Sequence, residues 1–113
     1  MHELVPFSVR LPATSEVNTT HGDHLFTLQI NQAICVLSRD EFINAMPDKN
    51  IGVGVHYLSI PEHEYYKNRF GWKPEDYPHA MEVGRSTVSI PISVKLSDSD
   101  VSDVIAYVRS VLG

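Results

Sequence analysis

The chain has 113 residues, 42% hydrophobic and 20% charged, with a single cysteine and a net charge of −5. That is the size of one domain, with enough apolar residues for a core that needs no staples. The acidic balance provides no basic face for a phosphate backbone, so nucleic acid is not an expected partner. One cysteine, Cys35, excludes an internal disulfide and a cysteine-based zinc site.

Residues 1–23 carry turn signals at Pro6, Pro12 and His21-Gly22-Asp23, and their poor periodicity predicts an extended, loosely attached lead-in. The start, Met1 to Pro6, lacks the pattern of a signal peptide, and no run approaches membrane-spanning length, so a cytoplasmic chain without a membrane partner is expected. The domain proper is placed at residues 24–113. From His24 to Ile30 the residues alternate, with Leu25, Thr27 and Gln29 on one face and Phe26, Leu28 and Ile30 on the other, which predicts a strand. Cys35, inside Ala33-Ile34-Cys35-Val36-Leu37, reads as a small buried hydrophobe.

Ser38-Arg39-Asp40-Glu41 is a capping box that opens a helix, with Phe42, Ile43 and Met46 as its inward stripe. Pro47 ends it, and Asn50 suits a left-handed residue. Asn50-Ile51-Gly52-Val53-Gly54-Val55-His56-Tyr57 alternates at period two and predicts a strand over 51–57. Its two glycines suggest a close approach of backbone or ligand. Pro61 begins a second helical stretch, Glu62 to Phe70, stopped by Gly71. A loop follows from Trp72 to Pro78, then a short helix from His79 to Gly84 and a strand from Thr87 to Ile92 interrupted by Pro91. The last helix is capped by Ser97 and carries Val101, Val104, Ile105, Val108, Val111 and Leu112 at three-four spacing.

Strands at 24–30, 51–57 and 87–92, separated by helices, predict a two-layer α+β domain. Its sheet would be small, about three-stranded and largely antiparallel, with helices packed on one face. Among candidate chemical groups, His21-Gly22-Asp23-His24 lacks the convergence of a metal site, and none is expected. His56 has two accounts from its residues alone: a strand-end histidine bonded to a neighbouring carbonyl, or a donor that contacts substrate. On a regular strand Tyr57 would face away from it. Tyr65 and Tyr66 read as core and interface packing, and Trp72 as a loop residue folded back on the core. No catalytic constellation is visible.

Four stretches in order resemble the C-terminal small domain of the DegT/DnrJ/StrS-type sugar-nucleotide aminotransferases. They are 24–30, Ser38-Arg39-Asp40-Glu41-Phe42, Ile51 to Tyr57, and Ser89-Ile90-Pro91-Ile92 with the helix after it. Tyr65-Tyr66 and Arg69-Phe70 sit where that family has a tyrosine-rich helix. The resemblance implies the small domain of a fold-type I enzyme that uses pyridoxal phosphate to aminate keto sugars bound as nucleotide sugars. It implies His56, and Tyr57 beside it, as substrate-contacting residues. Cofactor binding would belong to a large domain as partner, missing or separately encoded. The family's Schiff-base lysine has no counterpart among Lys49, Lys67, Lys73 and Lys95, so no cofactor is expected on this chain alone. A second histidine of the family falls at Pro61, with His63 out of register. The competing expectation is a non-catalytic interaction or regulatory module on the same fold, forming a homo-oligomer or taking a new partner.

Overall fold

The computed structural model describes residues 8–113; the turn signal at Pro6 lies outside them. Three strands form one antiparallel sheet in the order β1-β2-β3: β1 is Val9–Arg10, β2 Phe26–Ile30 and β3 Thr87–Ile90. The helices are α1 (Arg39–Ala45), α2 (Glu64–Phe70), α3 (Pro78–Ser86) and α4 (Asp98–Leu112). Among the described residues no helix is long and apolar enough to cross a membrane.

Register divides the sheet into an apolar and a polar face. Phe26 lies opposite Ile90, Leu28 opposite Val88, and Val9 opposite Ile30. Facing pairs in an antiparallel sheet project to the same side, so these six make the apolar face. Leu28, Ile30, Val88 and Ile90 are buried in one cluster with Phe42 in the middle of α1, Met46 just past its end, Ile51, and Val108 of α4. Four more stripe residues of α4, Val104, Ile105, Val111 and Leu112, pack against it, as does Cys35. On the other face Arg10 lies opposite Gln29, Thr27 opposite Ser89, and Gln29 also opposite Thr87.

Both capping boxes form. Ser38 Oγ accepts from the Glu41 backbone while Glu41 accepts from Ser38 N at 2.7 Å, and Ser97 and Asp100 repeat the pattern with Ser97 N at 2.8 Å. Backbone and hydroxyl donors of Ser38 hold the Glu41 carboxyl below its usual range, and those of Ser97, hydroxyl first, do the same for Asp100. Asn50 and Gly71 take left-handed φ values of 58° and 67° where their helical segments end.

Two expectations are corrected. Within the described part of the lead-in, Val9 is not loosely attached, because it is buried and paired with Ile30. Residues 51–57 are not a strand. They touch β3 through one bridge, Gly54 with Ser89, bonded at 3.1 and 2.7 Å in the two directions. The ladder cannot grow either way. Its next bonded pair on one side would use Pro91, which has no N–H. On the other side it would use Thr87, whose N–H already goes to Val83 O and whose carbonyl already accepts from Arg39. The sheet is still three-stranded, with β1 rather than 51–57 as its third member.

Gly84 marks where α3 crosses the segment after Tyr57. A Cβ there would stand 2.1 Å from Ser59 Oγ and 2.9 Å from Ser59 N, while Ser59 Oγ donates to Ala80 O. Helix propensity alone favours alanine over glycine by about 1 kcal/mol. Overpacking against backbone costs about 1–3 kcal/mol and reverses the sign. Gly84→Ala is therefore expected to lower stability by up to about 2 kcal/mol in urea unfolding. A gain would mean that the contact at Ser59 relaxes freely.

Candidate functional site

The polar sheet face carries the candidate site. Ser89, on β3, has its backbone bonded to Gly54 and is 6% exposed. Two residues beyond Gly54 the chain brings His56 back over the sheet, with Nδ1 at 2.9 Å from Ser89 Oγ. A Cβ on Gly54 would come within 3.0 Å of His56 Cε1. Any larger residue at 54 would have to displace the histidine ring that lies against it. Gly52 has open space around the position of a Cβ, so only one of the two glycines answers to a close approach.

His56 is half-buried, not enclosed in apolar surroundings. No hydrogen bond of its Nε2 is found among the described residues, so the polar tip of the ring is free to meet another molecule. The Tyr57 ring is 5.0 Å from the His56 ring in an edge-to-face arrangement and 69% exposed. A regular strand would have parted the two side chains; with 51–57 unpaired beyond Gly54, the rings are neighbours. The sequence missed Ser89 as a third member. The available signal was the polar register of Thr87 and Ser89 in an otherwise apolar strand.

The other candidates lie elsewhere. His63 and Tyr66 contact edge to face at 6.3 Å, Tyr66 stacks on Trp72 at 5.6 Å, and Phe70 and Tyr77 complete the aromatic group. Tyr65 is 66% and Phe70 54% exposed, so this is a surface cluster, which corrects the core part of the core and interface packing expected of Tyr65 and Tyr66. Trp72 folds back on α2, not on the core. His21 Nδ1 lies 3.0 Å from Asp23 Oδ1, but among the described residues no three His, Cys, Asp or Glu side chains converge as a metal set.

A groove of about 900 Å³ runs between β1, β2 and α3, with Arg10, Gln29, Met81, Glu82 and Arg85 in its walls. A smaller one of about 380 Å³ lies beside Arg39 and Glu62. Neither is lined by a lysine. Lys49 lies over the Tyr107 ring at 5.9 Å and Lys67 pairs with Glu64 at 3.0 Å. A pyridoxal cofactor needs an amine inside a cavity for its Schiff base, and this chain's residues do not fit that requirement by themselves.

The fold of this chain recurs within solved aminotransferases. Spr1654 from Streptococcus pneumoniae, described as a sugar aminotransferase and solved in its PMP form, superposes on 97% of this chain with a TM-score of 0.85 at 23% identity. The aminotransferase TlmJ from Streptoalloteichus hindustanus covers 94% with a TM-score of 0.76, also at 23% identity. In sequence, the spore coat polysaccharide biosynthesis protein SpsC of Bacillus subtilis is 40% identical over 93 residues, 81% of this chain and 24% of SpsC. The chain belongs to the DegT/DnrJ/EryC1/StrS aminotransferase family, whose model matches residues 2–109. It spans about a quarter of the length of these relatives.

Proposed function

We propose that this chain is the small domain of a pyridoxal-phosphate-dependent aminotransferase that aminates keto sugars carried as nucleotide sugars. The cofactor-holding part is a large domain, joined to it or separately encoded, and the chain alone is inactive. The observation that carries the reading is His56, fixed at Nδ1 by Ser89 and unbonded at Nε2 on the polar face of a fold that recurs in a sugar aminotransferase. SpsC, with its role in spore coat polysaccharide biosynthesis, supports a sugar substrate. His56 would hold the sugar, and Tyr57 would line the same contact with its exposed ring.

The test is His56→Ala in the enzyme completed with its large domain. Losing one hydrogen bond to substrate costs about 1–3 kcal/mol, so kcat/KM for the nucleotide sugar should fall by about 10- to 100-fold. Unchanged kinetics would remove His56 from the site. In the same preparation, cofactor absorbance should stay with the large domain; a borohydride-reducible adduct on a lysine of this chain would overturn the assignment.

The exposed aromatic group supports a second reading, an interaction module that covers this surface with a second copy of the chain or a new protein. Patches of this kind mark interfaces when they are contiguous. Light scattering distinguishes the two: a dimer whose formation is lost in Phe70→Asp favours the module, and a monodisperse monomer counts against it.

A further inference from the structure

Ser89 takes part in the site in a way that neither the family match nor the similar proteins assign. Its own N–H and C=O are both bonded to Gly54, and its hydroxyl is bonded to His56 Nδ1 at 2.9 Å and to no other group among the described residues. The residue is 6% exposed. A buried hydroxyl proton needs an acceptor. Were Nδ1 to carry the imidazole proton, Nδ1 would donate to Ser89 Oγ and the hydroxyl proton would have nowhere to go. With Nδ1 bare, Ser89 donates to it and the need is met.

From this geometry we infer that Ser89 is a positioning residue that holds neutral His56 as the tautomer protonated on Nε2. The Gly54 backbone completes the seat, since the ring lies close against it, with Cε1 3.0 Å from where a Cβ at 54 would stand. Resting on the reading that His56 meets the substrate, this deepens it. The site presents a hydrogen-bond donor, so the group recognised is an acceptor oxygen (a carbonyl, carboxylate, phosphate or hydroxyl oxygen) rather than an ammonium or amide N–H.

Long-range proton–nitrogen NMR of the 15N-labelled chain at about pH 8, above the ordinary imidazole range near 6.5, reads the tautomer directly. The wild type should show a His56 pattern with Nε2 protonated and Nδ1 bare. In Ser89→Ala the Nδ1 resonance should shift to that of a nitrogen without a hydrogen bond, and the second tautomer should appear. A wild-type ring protonated on Nδ1, or averaged between tautomers, overturns the proposal, as does an unmoved Nδ1 resonance in a folded Ser89→Ala. If Ser89→Ala does not fold, the wild-type tautomer decides alone. No substrate is present, so a locked ring together with unchanged turnover in His56→Ala would overturn only the substrate reading.

Discussion

Replacing Arg39 with methionine is expected to cost about 2–6 kcal/mol of folding stability. Arg39 is the first residue of α1, yet its side chain is only 8% exposed and its Nη1 donates to the carbonyls of Gly84 and Thr87 at 3.0 Å each. Those oxygens lie where α3 ends and β3 begins, so the guanidinium sits at the negative end of a helix and closes the α3–β3 junction. Methionine keeps the apolar stem but leaves both buried carbonyls without their donor, at about 1–3 kcal/mol apiece. The contact of Arg39 Nε with Asp40 Oδ1 at 2.6 Å matters little, because Asp40 is 79% exposed and such pairs contribute about 0–1 kcal/mol. Urea unfolding of Arg39→Met and Asp40→Ala separates the two contributions. If Asp40→Ala cost as much as Arg39→Met, the ion pair and not the carbonyl clamp would be the stabilising contact.

The same clamp explains a good part of what the sequence concealed. Alternation in Ile51 to Tyr57 was present and pointed to a strand, but a strand also needs a free neighbouring edge. That edge is occupied at Thr87 by Val83 and Arg39, residues that no local pattern links to 51–57. Features set by a few adjacent residues were legible. Ser38 with Glu41, Ser97 with Asp100, Asn50, Gly71 and the stripe of α4 are all as their spacing implies. Val9–Arg10 was not legible, since two residues carry no period and gain their strand state only from Gln29 and Ile30. Of the candidate site, His56 and Tyr57 could be singled out because they end the glycine-bearing segment. Their partner Ser89 is 33 residues away, and its nearness depends on the Gly54 bridge, which exists only in the folded chain.

Phe42→Ala tests which aromatic residues hold the domain together, and the expected loss is about 3–5 kcal/mol. Phe42 is fully buried, in the cluster that joins α1 to Leu28, Val88 and Ile90, and a densely packed interior recovers little of a cavity that large. Phe70 provides the control. Its ring stacks on Tyr66 and Trp72 at 6.1 and 5.4 Å but remains 54% exposed, so Phe70→Ala should cost only about 1 kcal/mol. Urea midpoints at an unchanged slope give both values on one scale. Equal losses, or a larger one at Phe70, would place the surface aromatics within the cooperative core. The expected order instead leaves the rings of α2 and its following loop as side chains that folding does not need. Large rings kept on a surface without a folding role are available to contact another protein surface.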